Sequence, residues 1–191
     1  MYQKKIKCYV FLEDINNIIK ENLLKFENIN VIVDNRLDIN RQNNLSIIQF
    51  CKTHRIPFFL KDNYNQCIKY GSSGIFISSQ NKNIIKPVLL KKKFKILGSV
   101  HNQLEYFQKI RQGCTLFFLS PLFYNKKYSK NNILGALKFN LIISKWKNDI
   151  SALGGINYKN IKGVRMLKVY SIGFKNLIKD PKAKKPAYNF L

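Results

Sequence analysis

Short runs of consecutive apolar residues recur along the chain, each followed by a more polar stretch with helical spacing. Eight such runs predict strands, at 8–12, 29–33, 57–60, 74–77, 94–100, 114–119, 150–153 and 167–172. Their apolar residues are adjacent rather than alternating, the pattern of strands covered on both faces in a parallel sheet. Between them, Leu45, Ile48 and Cys51 share one helical face, as do Leu104, Phe107 and Ile110, and later Leu137, Leu141 and Trp146. Eight strand–helix units at a pitch of about 20 to 25 residues predict an α/β chain folded as a small, compact (β/α)8 TIM barrel. The runner-up is an open doubly wound sheet. Segment 78–93 is poor in helix signals and contains Pro87, so the fourth helix is expected to be reduced or absent. Residues 180–191, with Pro181, Pro186 and several lysines, read as a basic tail to a single domain spanning 1–179.

Composition narrows the setting more than the chemistry. Of 191 residues, 46% are apolar, enough to bury a core, while 34 Lys and Arg against 10 Asp and Glu leave a formal charge of +24. Such a field attracts phosphates, nucleic acids or anionic membranes. The abundance of Lys, Asn and Ile is also what AT-rich codons produce, so the charge is discounted as a functional signal, and the clusters at 91–93 and at Lys182, Lys184 and Lys185 read first as solvated surface. The longest apolar stretches fall well short of the roughly 18 residues that span a bilayer. Glu13 and Asp14 interrupt the apolar run behind the N-terminal lysines, and no small-residue cleavage site follows, so a cytoplasmic protein is expected. Cys8, Cys51, Cys67 and Cys114 form no C-x-x-C pair, and His54 and His101 are the two histidines, so no zinc site can be written. Each cysteine reads as a small buried hydrophobe.

In such a barrel the chemistry belongs at the C-terminal ends of the strands. Gly154-Gly155 follows the seventh run, and Ile156-Asn157 is expected to open a helix whose dipole would favour an anion. Turn-making alone also explains the glycine pair. Ser171-Ile172-Gly173 closes the eighth run and would supply the other half of a phosphate cradle. The connection after the sixth run, from Ser120 to Leu134, is far longer than the usual βα loop of about 2 to 6 residues. Its Asn125, Lys126 and Lys127 offer donors to a diphosphate, or are a solvated basic loop.

Residues 96–102, 120–128 with Leu134-Gly135, and 152–157 occur in the order and spacing that resemble thiamine phosphate synthase and its relative, the thiazole tautomerase. His54-Arg55-Ile56-Pro57 and Tyr70-Gly71-Ser72-Ser73-Gly74-Ile75 extend the similarity over most of the chain. The resemblance implies a transferase that joins a pyrimidine carrying a diphosphomethyl group to a thiazole phosphate, expelling pyrophosphate held by Mg²⁺. No protein nucleophile is implied, and catalysis would consist of stabilising the departing charge and positioning the thiazole nitrogen.

Carried over position by position, the resemblance implies a metal ligand at Asp62, although its neighbour is Lys61 where the family has Asn. The family's second carboxylate falls on Asn81, in the run Phe76-Ile77-Ser78-Ser79-Gln80-Asn81, which implies a weakened Mg²⁺ site. Ser99 and His101 match the strand-five motif; His101 reads equally as a helix-start histidine bonding backbone. The family's Thr-x-Thr-Lys becomes Asn125-Lys126-Lys127-Tyr128, which loses both hydroxyls, and its added positive charge would substitute for a missing carboxylate-bound metal. Arg36 would be the pyrimidine-side cation, or be held by Asp38 in a surface pair worth about 1 kcal/mol or less. The implied catalytic set is therefore Ser99, Lys127 and Arg36, and the phosphate set Gly154, Gly155, Ile172, Gly173, Asn125 and Lys126. Pro121 stands where the tautomerase has its catalytic histidine, and a proline cannot move a proton, which disfavours that activity.

The expected partners are small-molecule phosphates and diphosphates. A pocket-retaining relative with altered or lost activity is the second reading. A basic RNA-binding protein, with tyrosines and phenylalanines beside lysines as at 123–128, is a third; it is disfavoured because no RNA-recognition, KH or OB signature is legible.

Overall fold

The computed structural model describes residues 6–34, 42–83, 94–125 and 132–179. Parallel strands β1 (Lys7–Leu12), β2 (Ile29–Val33), β3 (Phe58–Lys61), β4 (Gly74–Ile77), β5 (Lys95–Val100), β6 (Leu116–Leu119), β7 (Asp149–Leu153) and β8 (Ser171–Phe174) close a barrel in chain order. Cys8 of β1 stands beside Ile29 of β2 on one side and Ile172 of β8 on the other, which seals the seam. The described helices are α1 (Asn17–Leu24), α2 (Gln42–Thr53), α3 (Tyr64–Tyr70), α4 (Gln103–Arg111) and α5 (Gly135–Ile143). The (β/α)8 barrel expected from the periodicity is thus the fold, and among the described residues no helix lies between β4 and β5.

The consecutive apolar runs are explained by two cores. Tyr9, Phe11, Ile32, Phe59, Phe76, Leu97, Leu116 and Phe118 fill the barrel, with Tyr9 and Phe11 meeting Phe118 and Phe76 edge-on at 5.2 and 5.1 Å. The alternate residues of the same strands, such as Val10, Val31, Phe117 and Ile172, pack outward beneath the helices. The asparagines are structural as well: Asn16, Asn63 and Asn102 cap α1, α3 and α4 by accepting from the amides of Ile19, Gln66 and Glu105.

Three sequence expectations are corrected. The eighth strand, expected at 167–172, runs from Ser171 to Phe174, because Leu167 ends the preceding 3₁₀ turn, Ile161–Met166, and its amide bonds the Val164 carbonyl. No α-helix follows β7: Asn157 and Asn160 bond the local backbone instead, Asn160 Nδ2 reaching the Gly155 carbonyl at 2.7 Å and Asn160 Oδ1 accepting from the Asn157 amide at 2.8 Å. The apolar faces of α4 and α5 do not all point inward. Leu104 is 82% exposed and Leu137 90%, while Tyr106, Lys109, Phe139 and Ile143 are the buried positions.

Candidate active site

The strand ends expected to carry chemistry gather charged groups at one mouth of the barrel. Lys61, the last residue of β3, donates to Asp34 just past β2 at 2.6 Å. Lys175, just past β8, lies 2.5 Å from Glu13 and 3.9 Å from Asp34. Two ammonium groups thus converge on the buried Asp34 carboxylate, and Glu13 shares the second. The pairing was not legible in the sequence, where Lys61 stood out only as the neighbour of Asp62 and Lys175 as one basic residue among many.

Asp62 begins the loop after β3 in a left-handed conformation, φ +55°, uncommon outside glycine though more accessible to Asp than to most residues, and here stabilised by its surroundings. Those surroundings are the loop after β4. Asp62 Oδ1 accepts from the Ser78 amide at 2.8 Å and from Asn81 Nδ2 at 3.0 Å, and the Asp62 amide donates to the Phe76 carbonyl. Asn81 Oδ1 in turn accepts from the Asn83 amide at 2.9 Å. Under the loop, the fully buried Lys109 of α4 donates to the Asn81 carbonyl and to Gln112 Oε1, each at 2.7 Å, while Gln112 Nε2 donates to the carbonyls of Asn81 and Asn83. Burial pulls the Lys109 pKa below the usual lysine range, and the nearby charges of Asp62 and Glu105 partly offset this.

This corner does not fit a protein-held Mg²⁺. The second expected ligand position is an amide committed at both ends, one carboxylate oxygen already accepts two hydrogen bonds, and an ammonium lies behind the loop. Mg²⁺ demands octahedral oxygen ligands, and among the described residues no cluster of three or more His, Cys, Asp or Glu side chains could hold a metal ion.

Ser99 lies on β5, two residues beyond the inward-facing Leu97, and is buried. His101 Nδ1 lies 2.8 Å from the Ser120 carbonyl and 3.1 Å from its hydroxyl, so the ring is turned to the backbone beside the cis Ser120-Pro121 bond, as its helix-start reading anticipated. Asn125 is half-buried at the end of the described part of the loop after β6. Arg36, Lys126, Lys127 and Tyr128 lie outside the described residues.

The glycine pair meets this loop directly. Gly154 and Gly155 have φ of +93° and +73°, and the amides of Leu122 and Phe123 bond the carbonyls of Leu153 and Gly154. A Cβ on Gly155 would collide with the Phe123 carbonyl oxygen. Close packing of two loops therefore accounts for these glycines without any ligand, while leaving the Gly155 amide with no described acceptor. The β7–β8 register sets Leu153 opposite Gly173, so the two chain ends converge as expected. Ile172 and Gly173 are nevertheless inside β8: Ile172 is fully buried in the outer core, and a Cβ on Gly173 would meet Leu153 and Phe118 at 3.0 and 3.1 Å. The first amides beyond the strand belong to Lys175 and Asn176.

Comparison with known proteins agrees with the barrel fold. The family model for thiamine monophosphate synthase matches residues 40–174. The chain belongs to that family. It is 25% identical over 140 residues to the thiamine-phosphate synthase of Flavobacterium psychrophilum, covering 70% of this chain and 68% of that protein. Its fold matches the thiamine phosphate pyrophosphorylase from Pyrococcus furiosus with a TM-score of 0.72 at 16% identity, over 97% of this chain and 96% of that one. The thiamine phosphate pyrophosphorylase from Bacteroides thetaiotaomicron superposes with a TM-score of 0.64 at 12% identity, over 97% and 94% of the two chains.

Proposed function

We propose that this member of the thiamine monophosphate synthase family joins a hydroxymethylpyrimidine diphosphate to a thiazole phosphate with release of pyrophosphate. The C–O bond between the pyrimidine methylene and the diphosphate breaks, its electron pair leaving with pyrophosphate. The thiazole nitrogen lone pair then forms the new C–N bond. No proton transfer or protein nucleophile is needed, so the protein must bind the departing charge and align the two heterocycles.

The observation that carries this reading is the convergence of the β7 and β8 ends, with Lys175 and Lys61 beside them around Asp34. In the proposal, the amides of Gly155 and of the residues after β8 take one phosphate, Lys175 exchanges its carboxylates for the pyrophosphate, and Ser99, Asn125, Lys126, Lys127 and Arg36 complete the polar lining. Gly154, Ile172 and Gly173 shape the backbone that brings those amides together.

Pyrophosphate release, followed with each substrate omitted in turn, tests the reading. Release is expected only with both substrates present, and Lys175→Met should lower kcat/KM about tenfold through loss of a charge-assisted contact. Release without thiazole phosphate, or none with both substrates, overturns it. The committed Asn81 amide and the Lys61–Asp34 pair favour a second reading, a phosphate-binding relative of altered activity. That protein would gain thermal stability from a phosphate ester and release no pyrophosphate.

A further inference from the structure

We propose that Asn81 and Lys109 stand in for a divalent cation at the Asp62 corner, so that the mouth takes its anionic ligand without a protein-held metal. This rests on the anion-binding role proposed above. Were residue 81 an aspartate, two carboxylates would face each other across about one hydrogen-bond length and would need a cation or a shared proton between them. Here Asn81 Nδ2 fills that gap with an N–H donor 3.0 Å from Asp62 Oδ1. The amide cannot turn its oxygen toward the mouth without losing both the Asp62 and the Asn83 bonds. Lys109 and Gln112 pin the same residue from below through its carbonyl. No described carboxylate lies within ion-pair distance of the Lys109 ammonium, so the Asp62 charge two bonds away is part of what balances it. A divalent ion at Asp62 would compete with that ammonium. Lys109 is thus a positioning residue, acting on the mouth through Asn81.

The test uses the full chain and MgCl2 alone, read as a melting temperature. The native protein should show no Mg²⁺-dependent shift. Asn81→Asp should melt lower in EDTA and recover by a few degrees on adding Mg²⁺. Adding Lys109→Met to Asn81→Asp should tighten Mg²⁺ by about threefold or more, because a like charge has been removed, a change that a purely structural lysine would not produce. Inorganic pyrophosphate, titrated calorimetrically into the native protein, should bind in EDTA as well as in Mg²⁺. A Mg²⁺-dependent shift in the native protein, indifference of Asn81→Asp to Mg²⁺, or pyrophosphate binding only with Mg²⁺ would overturn the inference. Should pyrophosphate bind in neither buffer, the anion-binding reading above falls, and the Mg²⁺ measurements decide the stand-in role by themselves.

Discussion

Gly71, Gly113, Gly135, Gly154 and Gly155 share a positive φ for different reasons, and substitutions separate those reasons. Gly71 ends α3 at φ +63° with open space, nothing within 4 Å, where a Cβ would sit, whereas a Cβ on Gly155 at φ +73° would strike the Phe123 carbonyl oxygen. Gly71→Ala should therefore cost about 1 kcal/mol, the conformational penalty alone. Gly155→Ala carries that penalty plus the displacement of a backbone segment, about 2–4 kcal/mol together. Urea unfolding of the two variants checks the difference; equal losses would show that the loops after β6 and β7 separate freely. The same comparison explains why the glycine pair was only half readable in advance. A turn, a ligand cradle and a close backbone approach all select glycine, and the third becomes visible only when Phe123 is in place.

At the scale of elements, the strands were the legible part. Continuous apolar runs have one explanation, burial on both faces, and seven of the eight strands overlap their expected ranges nearly in full. The eighth slipped because Leu167 and Val169 extended the apolar run although the 3₁₀ turn claims Leu167. Helix faces were harder. In α4 the sequence favours Leu104, Phe107 and Ile110, yet the inward side is Tyr106 and Lys109. Tyr106 stacks on Trp146 at 4.1 Å and donates to Asn148, while Lys109 donates to the distant Asn81 carbonyl and to Gln112 Oε1 at the end of its own helix. A buried lysine is invisible to any hydrophobic periodicity, and the carbonyl that accepts from this one, at Asn81, lies elsewhere in the chain. The mutational ranking should follow the structure: Tyr106→Ala should cost about 3–5 kcal/mol, and the half-exposed Phe107→Ser less than about 1 kcal/mol. Thermal denaturation of the pair decides it, and the reverse order would mean α4 is rotated about its axis. Candidate positions at the barrel mouth stand out in the sequence where they resemble family motifs, as at Asp62, Ser99 and Gly154-Gly155. The Lys61–Asp34–Lys175–Glu13 chain depends on strands distant in sequence and left no local mark.

Over the whole molecule, no described helix is long and apolar enough to cross a membrane. The four cysteines are free and buried, and desolvation raises their thiols to about 12, 12, 11 and 12 for Cys8, Cys51, Cys67 and Cys114. Tyr9, inside the barrel, is likewise raised to about 12, chiefly by burial. These groups stay protonated in the native state while their unfolded counterparts ionise from about pH 9 for the thiols and 10 for the tyrosine. The unfolded state then binds fewer protons, so stability is fully present below pH 9 and falls as pH rises toward 12. Lys109, whose pKa is lowered, works in the opposite direction below 10.5, one group against five. Urea midpoints should therefore decline steadily between pH 9 and pH 11, and a flat profile would mean that these side chains reach water in the native state. The seam between β1 and β8 has a consequence of another kind. Cys8 finds its neighbour Ile172 only after nearly the whole described chain has been laid down, so a growing polypeptide must keep an open, sticky sheet until its last strand arrives.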